Sequence, residues 1–277
     1  MFTFCILGTI EVHGSGESIR ISGAVQQTLL TAFLAGGEEV ITVDALIDEL
    51  WGTTPPMKVE NALQAQVSRL RRCLERAEAD RVRSRLTKCP AGYRFSVKPK
   101  EVDALTFLQT IDAVRARLDS GLSKDFRPVI EELRNALTLW REPLFGGIAG
   151  GPICRMAADK YREARSLAHA LLYELELRDG AHARVLPEIS ELYAQHPFNE
   201  QYCMMLMTAL YRAGRQTDAL DVYRRLRERL DQHFGLEPSP VLRRFERAIL
   251  MHDPGLLTEW LPFAAGAVPA SVRGPSS

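Results

Sequence analysis

The sequence predicts a mainly α protein in two parts: a small α+β domain followed by an all-α helical array. Three observations carry this prediction. Short apolar alternations and glycine turns are confined to the first hundred residues, helical periodicity runs from Asp103 to about residue 252, and charge is segregated along the chain. At 277 residues the chain has room for about two domains of ~100–200 residues. Its 35 Lys and Arg balance 35 Asp and Glu, so total charge gives no argument for a polyanion ligand. The distribution does. Residues 1–56 carry a net −6, residues 57–100 a net +8 and residues 101–277 a net −2, which places one basic block between acidic flanks. No run approaches the ~18 apolar residues of a membrane helix, and no basic stretch precedes the apolar start at Phe2, so neither a membrane nor a secreted protein is expected. Cys5, Cys73, Cys89, Cys154 and Cys203 are odd in number and far apart, as in reduced thiols of a cytoplasm.

Phe2, Phe4, Ile6 and the Ile19-Arg20-Ile21 alternation read as short strands split by Gly14-Ser15-Gly16. Leu29, Leu30, Phe33 and Leu34 form a helical face ending at Gly36-Gly37, and Val40-Ile41-Thr42 reads as another strand. Asp44 to Trp51 is an amphipathic helix with Leu46, Ile47, Leu50 and Trp51 inward, closed by Gly52 and Pro55-Pro56.

Met57 to Ala77 is the most informative segment. Leu63, Val67, Leu70 and Leu74 make a narrow apolar stripe at helical spacing. At ~100° per residue, Asn61, Ala65, Ser68, Arg69, Arg72 and Arg76 fall on the opposite side. Arg can donate two hydrogen bonds to guanine, Asn can pair with adenine, and Ser can reach a phosphate or base edge, so this face suits a DNA major groove. The plainer reading is a surface helix solvated by its arginines. Behind it, Arg81 to Lys88, the turn Cys89-Pro90-Ala91-Gly92 and the strand Tyr93 to Lys98 read as a hairpin. Tyr93, Phe95 and Val97 face inward in that strand, and Arg94, Ser96 and Lys98 outward. A basic hairpin directly after a basic helix is much less generic than either element alone.

Leu46-Ile47-Asp48-Glu49-Leu50-Trp51-Gly52, Asn61-Ala62-Leu63-Gln64, Val67 to Arg72 and Gly92-Tyr93-Arg94-Phe95 resemble the OmpR-type winged helix-turn-helix, in the form found in the Streptomyces antibiotic regulatory protein family. The resemblance implies that the 57–77 helix is the recognition helix and that Arg94 of the wing approaches a minor groove. OmpR-type regulators usually carry a receiver domain in front of this module. With the first strand starting at Phe2, none is expected here, nor is aspartyl phosphorylation as the switch. Gln26-Gln27 stand where family members often place a basic residue.

Beyond Asp103, helices are expected near 103–118, 126–140, 155–179, 182–195, 200–213, 216–234 and 239–251. Gly180 and Gly214 lie 34 residues apart, as do Leu172 and Leu206, which is the tetratricopeptide period. The match is partial, with Val185 in place of a small residue and Asp231 in place of a proline. Such arrays are binding scaffolds. Val102-Asp103 with Phe107, His196-Pro197, Leu206-Met207, Ala209 to Arg215 with Ala219-Leu220, and Gly235 to Ser239 resemble the bacterial transcriptional activation domain, although His233-Phe234 replace the Glu-Leu common before that glycine. The expected domains are therefore a winged helix at 1–100, a tetratricopeptide-like array at 101–252 and a disordered tail at 253–277.

No enzyme signature emerges. Gly146 to Gly151 lacks the Lys-Ser/Thr ending of a phosphate loop and follows no strand, so it reads as a connector. The six histidines show no metal spacing, and Met204, Met205 and Met207 read as core. No catalytic residue, metal or cofactor is expected. Lys58, Arg71, Arg76 and Lys88 are the candidate phosphate contacts, Asn61, Ser68, Arg69 and Arg72 the candidate base readers, and Arg94 the wing contact.

The expected function is activation of transcription from double-stranded promoter DNA. The resemblance further implies tandem direct repeats, a head-to-tail dimer on DNA, RNA polymerase and its sigma factor as partners, and an antibiotic biosynthetic cluster as target, all in the cytoplasm at the nucleoid. Residues 1–100 alone are expected to bind DNA and activate poorly. The alternative is a tetratricopeptide-like adaptor that binds a protein without specific DNA recognition.

Overall fold

A computed structural model describes residues 2–14, 18–19, 21–78, 83–121, 125–253 and 255–258. It forms two compact units, residues 1–121 with 132–165 and residues 122–131 with 166–277, so compactness does not divide at residue 100. The first unit opens with an antiparallel sheet of β1 (Thr3–Cys5), β2 (Glu11–His13) and β3 (Ser18–Ile19). The expected Gly14-Ser15-Gly16 turn and Arg20 lie largely or wholly outside the described residues. Three helices follow: α1 (Ala24–Gly36), α2 (Val43–Trp51) and α3 (Val59–Ala77), with β4 (Val40–Thr42) before α2. Thr42 starts α2 by accepting the Ala45 N–H at 3.2 Å, a standard N-cap. Trp51, expected in the core, is only half-buried, because it ends α2 next to the exposed 52–58 loop.

A second sheet has the order β4-β6-β5, with β5 at Leu86–Cys89 and β6 at Gly92–Phe95. Its register sets Leu86 against Phe95 and Ile41 against Tyr93. Phe95 meets Phe4 edge-on at 5.6 Å and stacks on Phe33 at 5.8 Å, so one aromatic ring joins both sheets to α1. Strand β5 starts later than expected. Arg81 and Val82 lie outside the described residues, and Arg85 turns inward.

Two buried carboxylates carry the first unit past the hairpin. Asp103, the first residue of α4 (Asp103–Asp119), accepts the N–H groups of Ile6 at 2.9 Å, Leu7 at 3.1 Å and Ala104 at 2.7 Å. Burial pushes its carboxyl up from the ordinary value, against the pull of those backbone bonds. Glu49 of α2 is 3% exposed and accepts from Gly151 at 2.8 Å, Ile153 at 2.6 Å and Cys154 at 3.3 Å, where α6 (Pro152–Arg178) begins. The amides that open α6 thus meet a carboxylate of the protein itself. Gly151 has to be glycine, since a Cβ there would lie 2.4 Å from the Glu49 Cα. Nearby, Arg141 and Gly146 donate backbone N–H groups to Leu7 and Gly8, and Phe107–Trp140 and Phe145–Tyr161 pack edge to face.

Helices α5 (Arg127–Leu137) and α6 contribute residues to both units. The second unit continues with α7 (His182–Gln195), α8 (Glu200–Arg212), α9 (Gln216–Phe234), α10 (Pro240–Leu250) and the turn α11 (Gly255–Thr258). The tail expected from 253 therefore begins with a helical turn, and residues 259–277 lie outside the described residues. The 34-residue spacing has a structural counterpart. Gly180 and Gly214 adopt φ of 79° and 75° at helix ends, and Ala181 and Arg215 behind them donate back to Glu176 and Leu210 in the same closing turn. Val185 and Ala219, also 34 apart, are both fully buried. Met204, Met205 and Met207 lie in the core. The Gly235 to Ser239 turn reverses α9 into α10 and is held by Glu200, which accepts the Ser239 N–H at 2.9 Å. His233 and Phe234 stay exposed, with Phe234 against Phe198 at 5.1 Å.

Candidate nucleic-acid interface

Helix α3 is positioned by the stripe that its sequence announces. Leu63, Val67, Leu70 and Leu74 are all 3% exposed or less, and each such burial stabilises by about 1.5–3 kcal/mol. The stripe fixes the helix rotation, so the opposite face has no option but solvent. Asn61, Ala65, Ser68, Arg69, Arg72 and Arg76 are all exposed there, as is Lys58 at the N-cap. The Arg72 Nε–H donates weakly to the Ser68 carbonyl at 3.4 Å, which lays its stem along the helix.

Polar struts complete the placement. Gln26 of α1 donates to the Gln66 side chain at 2.6 Å and to its carbonyl at 3.1 Å, while Gln27 donates to Ile21 O at 3.0 Å. The two glutamines thus tie α1 to α3 and to the end of the first sheet. Arg71 differs from the other candidates on α3. It is half-buried, and its Nε–H donates to Leu86 O of β5 at 3.1 Å, bracing helix against hairpin.

The hairpin separates its two candidates. Register pairs Thr87 with Arg94 and Lys88 with Tyr93, and side chains alternate across a sheet. Exposed Arg94 therefore shares a face with Thr87, and Lys88 lies on the other face beside the turn. Tyr93, Phe95 and Val97 are buried as the alternation predicted. The structure thus gathers Lys58, Asn61, Ser68, Arg69, Arg72 and Arg76 along one helix and sets Arg94 on the adjoining sheet, with Arg71 and Lys88 placed apart.

Gln64 is one exposed residue of α3 that is not among the candidate contacts, although its amide lies one turn from Asn61 and Ser68. At ~100° per residue it lies at the edge of the polar face, which is the sequence signal for it. Arg85 is the reverse case, a basic residue of the hairpin that is buried. Among the described residues no group of His, Cys, Asp or Glu is arranged to hold a metal, and no helix is long and apolar enough to cross a membrane.

Comparison with known proteins gives the family. Residues 17–95 match the family model described as transcriptional regulatory protein, C terminal, and residues 102–250 match that of the bacterial transcriptional activator domain. Over 91% of its length the chain is 38% identical to the transcriptional regulator RedD of Streptomyces coelicolor, covering 71% of that protein. It is 31% identical to the regulatory protein DnrI of Streptomyces peucetius, covering 93% of it. Among solved structures, Mycobacterium tuberculosis EmbR in complex with a low affinity phosphopeptide superposes with a TM-score of 0.83 at 28% identity. The match covers 91% of this chain and 66% of that one, just under two thirds of its length.

Proposed function

Because the chain belongs to the Streptomyces antibiotic regulatory protein family of transcriptional regulators, joining an OmpR-type DNA-binding domain to a bacterial transcriptional activator domain, we propose that it activates a biosynthetic gene cluster from promoter DNA. The observation that carries this is the exposed amide and arginine face of α3 above a fully buried apolar stripe. In this reading α3 enters the major groove. Asn61, Ser68, Arg69 and Arg72 read base edges, Lys58 and Arg76 contact phosphates, and Arg94 reaches the neighbouring minor groove. Arg71 supports the helix from behind in addition to any phosphate contact, and Lys88 adds charge at the hairpin turn.

Two copies bind head to tail on direct repeats, and a spacing of about 10–10.5 base pairs keeps both on one side of the duplex. The helical unit then holds RNA polymerase with its sigma factor at the promoter. No step requires a cofactor. The test is immunoprecipitation of the tagged protein across the genome, footprinting of the best peak and a salt titration. Protected direct repeats beside a promoter, with affinity falling steeply as salt rises, are expected. Weak binding blind to sequence would instead favour the adaptor reading. The polymerase step is tested separately by transcription from that promoter with purified components.

A further inference from the structure

Arg85 belongs by sequence to the basic block, yet its side chain is 2% exposed. An arginine carries five N–H donors, and here all five are used. Nε and Nη2 donate to the two Glu78 oxygens at 2.6 Å each, Nη1 and Nη2 donate to Glu101 at 2.8 and 3.0 Å, and Nη1 also donates to the Ser96 carbonyl at 3.0 Å. The guanidinium lies over the rings of Phe2 at 4.8 Å and Phe4 at 5.3 Å. Each partner belongs to a different part of the DNA-binding unit. Glu78 is the C-cap of α3, Ser96 follows β6, and Glu101 lies in the short 3-10 turn that leads into α4 and also accepts the Lys98 N–H at 2.8 Å.

Burial disfavours the charge on Arg85, but the hydrogen bonds and charges of Glu101 and Glu78 outweigh it and raise its pKa, so the cation persists at any ordinary pH. Removing it would take from the half-buried Glu78 and Glu101 carboxylates the cation that both share. The end of the recognition helix and the base of the wing are thus held by one rigid planar group. A site that reads DNA needs its elements held to within about half an ångström.

We infer that Arg85 is a positioning residue for DNA reading, whose fork sets the recognition helix and the wing at the separation that lets both engage their grooves together. The inference rests on the DNA-binding reading above. Arg71 makes a second strut from α3 to β5, through Leu86 O, so loosening Arg85 shifts the helix end without releasing the helix.

The test uses the full-length protein, with operator and random duplexes of equal length and a thermal melt of each variant. Arg85→Lys keeps the charge but has only three donors. It is expected to melt cooperatively, to lose about tenfold in operator affinity and to keep its affinity for random duplex within about twofold. Hydroxyl-radical footprints should lose the wing protection while the α3 protection remains. Glu78→Gln, which preserves shape at a site 15% exposed, should act in the same direction and carries the test if Arg85→Lys fails to fold.

An operator-to-random ratio within about twofold of the parent in both variants would overturn the inference. So would parallel losses on both duplexes that track the folded fraction, which mark a purely structural role. If the parent protein itself shows no sequence preference, the DNA-binding reading fails first, and that is visible before any substitution is made.

Discussion

Arg72 sits in the middle of the exposed face of α3, and in the proposed reading its role differs in kind from that of Lys88. A base-reading arginine discriminates between sequences, so Arg72→Ala should cost about 1–3 kcal/mol on the operator and little on random duplex. Fluorescence anisotropy on both duplexes measures this, and equal losses would refute base reading. Lys88, beside the turn and on the sheet face away from Arg94, should act through charge alone, so Lys88→Ala should weaken all sequences alike. The buried thiols offer a test of the fold at the same scale. Burial pushes Cys203 up to about 12, while burial and Glu49 push Cys154 up as well. Neither holds appreciable thiolate at pH 8, so iodoacetamide should leave both unlabelled in the native protein and label them after unfolding, as read by mass spectrometry.

At the scale of elements, apolar stripes do the positioning and single carboxylates do the joining. Leu70, fully buried in the α3 stripe, should cost about 2–5 kcal/mol as Leu70→Ala, with DNA binding lost in proportion to folding. Glu49 satisfies three backbone N–H groups where α6 begins, so Glu49→Ala leaves buried donors unpaired and should cost about 1–3 kcal/mol in a thermal or urea melt. The stripe was legible in the sequence because its period is local to one helix. Glu49 was not. It lies among the polar positions of an amphipathic helix, and its partners are about a hundred residues further along the chain. The glycine-rich loop reads from the sequence as a connector, and the need for Gly151 comes from the Glu49 backbone packed against it.

At the scale of the molecule, the first compact unit reaches well past the hairpin, and this changes what a truncation should do. A fragment of residues 1–100 would lack Asp103, which accepts the Ile6 and Leu7 amides, and every partner of Glu49. It should melt well below a fragment of residues 1–165, and DNA binding without activation is better sought in the longer one. Circular dichroism melts of the two fragments, with operator binding and transcription measured beside them, decide the point. Full activation by the longer fragment would exclude an activating role for the second unit.

The sequence by itself determined the order and nearly all the bounds of the helices, the rotation of α3, the alternation of β6 and the repeat spacing of the second unit. These follow from periodicity, caps and turns, which are properties of neighbouring residues. Tertiary structure alone decided which charges are surface and which are structure. Arg85 and Arg71 read from the sequence as members of one basic block with Arg72 and Arg76, yet one is buried between Glu78 and Glu101 and another braces β5. A charged side chain can enter the interior only where oppositely charged or hydrogen-bonding groups converge on it from several elements, and that convergence exists only once the chain has folded.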